Sequence, residues 1–337
     1  MSVSARVHYG LRTWENSMPL LIREREVSRF LPMRDAIAAV EAALREHAEG
    51  RAFCVPRTRA RLPSGLLHTL SASLPSQDAC GLKAYTSTPS GARFVMLLFS
   101  ASEGTLQAIL EAERLGQIRT GAATGVASRL LARGDAKVLA LLGSGFQAEA
   151  QLEACSLMRN LSEVRVWSRR PESAKQFCER MSARLGLPIN AAPTSEEACR
   201  GADLIVTATS SREPLLEGAW LDPGVHINAV GSNHARRREL DAEAVRKCDL
   251  ISTDLLEQAR LESGDLLEAE KEGAFEWQNA SELGSILVGR SPGRTSDEQR
   301  TLFKSNGIAL EDVAVAALVY RRALDGRAGE HIDMSKV

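Results

Sequence analysis

The chain has 337 residues, of which 44% are hydrophobic and 25% charged, and its formal net charge is −1. That length is enough for two domains with separate cores, and the composition is that of an ordinary globular protein. The near-zero charge gives no electrostatic reason to expect nucleic acid or an anionic membrane as partner, and no apolar run reaches the roughly 20 residues that span a bilayer.

Met1–Ser17 is polar and lacks an apolar signal core, so it reads as a loose leader before a fold that begins near Met18. From Pro32 to Glu49, Ile37, Val40, Ala43 and Leu44 form the stripe of an amphipathic helix. Strand-like pieces follow at Leu66–Leu70, Gly81–Thr86 and Phe94–Phe99, punctuated by Pro63, Gly65, Pro75, Pro89 and Gly91. These describe an α+β unit with a hydrophobic sheet. Its basic residues Arg57, Arg59, Lys83 and Arg119 sit at the ends or edges of apolar runs, and Pro56-Arg57-Thr58 reads as preceding a turn. A lysine among apolar strand neighbours either snorkels to water or faces a polar cavity. Two arginines and a lysine together suit a small carboxylate, which arginine binds bidentately. Thr120–Arg133, rich in alanine and leucine, is expected to be a helix leading into a second domain.

That domain opens with the most informative stretch of the chain, Lys137–Ala148. A short apolar run breaks at Gly143-Ser-Gly145 and passes through Phe146, Gln147 and Ala148 into a helix-compatible segment. In a dinucleotide-binding turn the first glycine allows the reversal and the second lets the backbone approach a pyrophosphate. The third small residue packs helix on strand. The pyrophosphate would then sit at the positive end of a helix. Val164–Trp167 is the next strand, Pro171–Leu185 a helix opened by proline, and Thr194–Glu197 a helix-start cap. Leu204–Val206, Val225–Val230 and Leu250–Ser252 add strands, while Arg236–Arg238 reads as a solvated helix start. This alternation predicts a Rossmann-type, doubly wound parallel sheet, with ligand across the carboxyl ends of its strands. Those ends carry Gly143–Gly145, Ser168–Arg170, Thr207, Thr209, and Val230–Gly231 followed by Asn233. A second strand ending in Ser168, Arg169 and Arg170 has no acid to bind ribose hydroxyls or repel a 2′-phosphate, so NADP(H) is expected ahead of NAD(H). The alanine-rich helix expected over Ile308–Leu324 returns to the first unit. The division is therefore residues 18–120 with 308–337 for substrate and dimerisation, and 121–307 for the dinucleotide. Cys54, Cys80, Cys155, Cys178, Cys199 and Cys248 are scattered without a C-x-x-C pair. They suggest reduced thiols, a cytoplasmic setting and no metal.

Taken together, the motifs resemble the ornithine cyclodeaminase/mu-crystallin family. The matching stretches are Pro56–Thr58, Gly81–Lys83, Leu115–Gly125, Gly143–Ala148, Asn228–Asn233 and Phe303–Gly307. The resemblance implies a homodimer whose first domains pair through their sheets, with substrate between that sheet and the nicotinamide. It implies that Arg57, Lys83 and Arg119 hold or polarise the α-carboxylate and α-nitrogen, with Arg59 a competitor for the role of Arg57. Two acids that handle the side-chain amine of ornithine in the family are missing, since Asn233 and His68-Thr-Leu-Ser71 stand there. The expected activity is NAD(P)H-dependent interconversion of an α-imino acid and an L-amino acid, with Lys83, Arg119 and Asn233 acting at the substrate. The alternatives are a cyclodeaminase that uses NAD as an internal hydride store and a binding protein without turnover, as in the mu-crystallin branch.

Overall fold

The computed structural model describes residues 18–333; the expected leader, Met1–Ser17, lies outside the described residues. The described residues begin with β1 (Leu20–Ile22), α1 (Glu24–Phe30) and α2 (Met33–Ala48). In α2 the apolar stripe is buried, from Met33 through Ile37 and Val40 to Leu44. A meander follows, made of β2 (Phe53–Leu62), β3 (Gly65–Leu74), β4 (Ala79–Thr88), β5 (Gly91–Phe99) and β6 (Leu106–Glu111). The register pairs Thr88 with Gly91, leaving Pro89-Ser90 as a two-residue turn between β4 and β5. Three of these strands coincide with sequence expectations, whereas β1 is only three residues long, β6 is short and interrupted by Gln107, and β2 is rich in arginine.

Pro56-Arg57-Thr58 does not precede a turn: it lies inside β2. There the pairing with β3 shifts register between Val55 and Thr58. A proline cannot donate to a ladder and is tolerated on an edge strand or at a bulge, and β2 is the edge of its sheet. The bulge turns the Arg57 N–H away from the ladder, and it donates to Gln258 Oε1 at 3.1 Å.

The helix expected from Thr120 starts a full two turns earlier. It is α3 (Glu113–Leu131), buried along nearly its whole length and packed on α2 on one side. Beyond it come β7 (Val138–Leu142), α4 (Phe146–Met158), β8 (Glu163–Trp167), α5 (Pro171–Leu185), β9 (Ile189–Ala191), α6 (Ser195–Cys199) and β10 (Leu204–Thr207). Pro171 opens α5, and the Thr194 hydroxyl caps α6 by accepting from Glu197 N–H. Then follow β11 (His226–Ala229), α7 (Ala242–Arg246), β12 (Leu250–Thr253), α8 (Leu256–Glu262) and α9 (Gly264–Lys271). Arg236–Arg238 is a loop and not a helix start, because the cap of α7 is Asp241, whose side chain accepts from Ala244 N–H. The described residues end with β13 (Ala280–Glu282), α10 (Leu283–Leu287), β14 (Thr301–Lys304), α11 (Ala309–Asp325) and β15 (Glu330–His331).

Two sheets result. One is a mixed sheet in the order β15-β1-β6-β5-β4-β3-β2. The other has the order β13-β12-β14-β11-β10-β7-β8-β9 and all its pairings are parallel. The order reverses between β7 and β10, the crevice where doubly wound sheets bind ligands. α11 covers the inner face of the mixed sheet and contacts β2 to β6, with Leu310, Val313, Ala314 and Ala317 buried. Its small residues let the helix lie close to the strands. All six cysteines are free thiols.

Candidate active site

The sheets meet at a cavity of about 480 Å³. One wall is the inner face of the mixed sheet, and alternation along the strands decides which side chains reach it. Cross-strand pairs Leu66–Ser87, His68–Tyr85 and Leu70–Lys83 set β3 against β4, and Phe94 pairs with Tyr85 on β5. The bulge in β2 adds Arg57 to the same face. The opposite wall is made by the start of α3, the Phe146-Gln147 turn, and the loops that follow β11 and β14.

Lys83 is 2% exposed, and its Nζ donates to Asp312 at 2.7 Å. Asp312 sits in the first turn of α11 and also accepts from Arg119 Nε at 2.9 Å. The next guanidinium nitrogen of Arg119 donates to Glu311 at 2.9 Å. Burial pushes the Lys83 pKa down to about 8, with the Arg119 charge adding to the effect and Asp312 opposing it. Burial also opposes the charges on Arg119 and Asp312. Their mutual attraction outweighs it, so Arg119 is raised and Asp312 lowered. Glu311 is pushed up to about 8 by burial and by the nearby Asp254 carboxylate. Gly307 makes room for this arrangement: its φ is +71°, and an added Cβ would lie 2.3 Å from an Arg119 nitrogen.

Arg57 is buried, paired with Glu262, and donates to the carbonyls of Asn306 and Gly307 at 3.0 and 2.9 Å. Arg59 reaches the other oxygen of Glu262 and the Asn233 carbonyl but does not line the cavity. Asn233 lines it from an exposed position, and the Asn306 side chain, buried there, has no hydrogen-bond partner at either polar atom. Sequence reasoning assigned no role to Asn306, Glu262, Glu311 or Asp312. Adjacent acids in a first helical turn read as complements of the helix dipole, and only their burial distinguishes them.

The turn after β7 opens on this cavity and on a second cleft of about 360 Å³. Gly143 has φ +124°, and a Cβ there would lie 2.5 Å from the Ala208 carbonyl. A Cβ at Gly145 would meet nothing within 4 Å, so the space over this glycine is open to a ligand. Ala148 is fully buried in α4, while Phe146 is 44% exposed and lines the first cavity with Gln147, Val230 and Gly231. Ser168, Arg169, Arg170 and Thr209 line the second cleft. Among the described residues neither arginine has an ion-pair partner.

Thr207 does not face the cleft as expected. It is fully buried, and its hydroxyl donates to Glu239 at 2.8 Å. The same carboxylate accepts from Thr209 N–H and hydroxyl, both at 2.7 Å, and from Gly231 N–H at 2.8 Å. Glu239 thus ties together the ends of β10 and β11, a role without a sequence signal because the residue lies in a loop. Among the described residues no cluster of His, Cys, Asp or Glu could hold a metal ion, and no helix is long and apolar enough to cross a membrane.

Comparisons with known proteins match this architecture along most of the chain. Alanine dehydrogenase of Archaeoglobus fulgidus is 34% identical over 326 residues, covering 94% of this chain and 99% of that protein. The structure of Thermococcus litoralis Delta(1)-pyrroline-2-carboxylate reductase, in complex with NADH and L-proline, superimposes with a TM-score of 0.89. It is 34% identical and covers 93% of this chain and 100% of its own. An archaeal alanine dehydrogenase dimer with bound NAD has the same TM-score of 0.89 and 34% identity, covering 94% of this chain and 99% of its own. The family model for the ornithine cyclodeaminase/mu-crystallin family matches residues 18–327, and the chain belongs to that family.

Proposed function

We propose that the protein reduces the C=N bond of a small α-imino acid to an L-amino acid, and catalyses the reverse oxidation, with a nicotinamide dinucleotide. The observation that carries this reading is the buried Lys83, flanked by Arg119 and Arg57 and facing the same cavity as Phe146 and Gln147. The open space over Gly145 and the N-terminus of α4 fit a pyrophosphate. A bound reduced nicotinamide supplies two electrons and one hydrogen nucleus to the imine carbon. The protein must bring one further proton to nitrogen. Arg57 and Arg119 orient the α-carboxylate, and Lys83 holds the proton at Nζ and gives it up as the amine forms. Asn233 bonds substrate or an ordered water at the mouth.

A pKa near 8 makes Lys83 a usable acid and base at neutral pH. Reduction requires protonated Lys83, so kcat is expected to be flat below about pH 8 and to fall as pH rises through it. Oxidation requires neutral Lys83, so its rate is expected to rise through the same pH. The check is a pair of pH profiles, following cofactor absorbance with a cyclic ketimine or a 2-oxoacid plus amine forward and an L-amino acid in reverse. Profiles of the same sign in both directions would exclude this role.

Ornithine cyclisation is disfavoured because His68 and Asn233 bring no carboxylate for a side-chain amine. The intact Lys83–Asp312–Arg119 triad argues against a binding protein without turnover. NADP(H) is preferred over NAD(H), since Arg169 and Arg170 border the second cleft without acidic partners. Arg169→Ala is expected to weaken NADPH binding about 10-fold or more and leave NADH binding nearly unchanged, as cofactor-fluorescence titrations would read. Equal losses for both cofactors would remove the 2′-phosphate assignment. The outer face of the mixed sheet, with Phe53 65%, Val55 51% and Val95 37% exposed, suits pairing of two copies, as in the dimeric archaeal relative. Residues 18–120 with 308–337 then form the substrate and pairing unit and 121–307 the dinucleotide unit, with α3 running through the junction. A cytoplasmic setting fits the free thiols.

A further inference from the structure

The outer end of the cavity carries polar and cationic side chains that chemistry at the imine does not use. His68 is 5% exposed, and its ring lies flat on Tyr85 with centroids 4.2 Å apart and planes 1° from parallel. Its Nε2 pairs with Ser87 Oγ at 2.8 Å, while its buried Nδ1 has no partner. His234 and Arg237 line the same cavity from the loop after β11. Arg237 is exposed, and among the described residues its guanidinium has no ion pair. Arg59 is the register partner of His68 on β2.

The potential here is positive. Burial, then Arg59, Arg57 and His234, push the His68 pKa down to about 4. His234 is lowered by burial, Arg59, Arg237 and Arg236, with only Glu262 acting the other way. Glu262 is committed, because one oxygen accepts from Arg57 and Gln258 and the other from Arg59. Glu113, the single acid among the lining residues, is exposed at the start of α3 on the opposite wall.

We propose that His68, His234 and Arg237 form a second anion subsite, which selects α-imino acids whose side chain ends in a carboxylate. The proposal rests on the imine-reductase reading and names its substrate class. In the tautomer where the Ser87 hydroxyl donates to Nε2, neutral His68 carries its proton on the unpartnered Nδ1 and offers it to the distal carboxylate. Arg237 supplies the compensating charge from the mouth. Tyr85 and Phe94, stacked 4.8 Å apart, contact the methylene groups between the two carboxylates. A side chain ending in an ammonium group finds no acid on this wall, since Glu113 lies on the opposite one.

The test compares kcat/KM for oxaloacetate, its neutral isostere 2-oxosuccinamate and 2-oxobutyrate, each with ammonium and reduced cofactor. The dicarboxylate is expected to exceed both others by about 10–100-fold, and Arg237→Ala should reduce that ratio by about 10-fold or more. A preference for 2-oxobutyrate, or a ratio that Arg237→Ala leaves intact, overturns the subsite. Thermal protection of the cofactor-loaded enzyme by L-aspartate against L-alanine reads the subsite without turnover. If no 2-oxoacid is reduced, the imine-reductase reading fails while protection by aspartate still reports on the anion site. Protection by aspartate no greater than by alanine removes it.

Discussion

Lys83→Met is expected to lower turnover of an imine substrate by about 10²–10⁴-fold, the usual contribution of a positioned general acid. Methionine keeps most of the stem that fills the space between Leu70 and Met96, the residues facing Lys83 on β3 and β5. It removes the charge and the proton donor. The change also leaves Asp312 paired with Arg119 alone, at 2.9 Å, so the carboxylate keeps a partner and the fold is expected to survive. Cofactor affinity should hold within a few-fold, since Lys83 is on the mixed sheet and the Gly143–Ala148 turn is on the other. Steady-state kinetics with a cofactor titration and a melting curve separate the outcomes. Near-normal turnover would remove Lys83 from the chemistry and leave Arg119 as the principal group at the substrate.

Asp312→Asn is the second large perturbation, and its signature differs. Removing one member of a buried ion pair while its partners stay charged costs about 3–5 kcal/mol. Here two cations, Lys83 and Arg119, would face each other without the carboxylate between them. Arg119 cannot give up its proton, so Lys83 does. Asp312 normally raises the Lys83 pKa against burial. Its loss therefore moves the alkaline limb of the reduction profile below about pH 8, leaving less protonated lysine at neutral pH. The expected result is a lower melting temperature together with an acid-shifted limb. An unchanged limb in a destabilised variant would mean that Asp312 supports the fold without tuning Lys83.

How much of this was legible in the sequence depended on whether a local pattern carried the information. The Gly143–Ala148 turn, the proline opening α5 and the Thr194 cap are decided within a few residues, and each reads directly. The stripe of α2 does too, because it packs on one side. By contrast β2 holds a proline and three arginines, Arg57, Arg59 and Arg61, and looks like a loop until its partner strand supplies the register. The start of α3 was missed because Glu113-Arg-Leu-Gly116 has a charged, glycine-containing opening that only tertiary packing makes helical. The basic half of the site was visible as Arg57, Lys83 and Arg119 because cations interrupt apolar runs. Its acidic half was not. Asp312 and Lys83 are 229 positions apart, and no local spacing connects them. Which of Arg57 and Arg59 lines the cavity likewise depends on a bulge that adds one residue to β2.

The helix that supplies Asp312 is synthesised long after the strands it covers, since α11 begins at Ala309 and β6 ends at Glu111. During synthesis the strands β1 to β6 emerge first, carrying an apolar inner face and a lysine that have no cover until α11 arrives. The parallel sheet in between pairs β11, β10, β7, β8 and β9 without help from later residues, and waits for β14 only to join β12 and β13. Folding by units as they appear therefore favours a nascent chain with an ordered nucleotide half and an unfinished mixed sheet. In that state Lys83 has no counter-ion from Asp312 until α11 docks. Any product released short of Ala309 would expose a greasy sheet face to its neighbours.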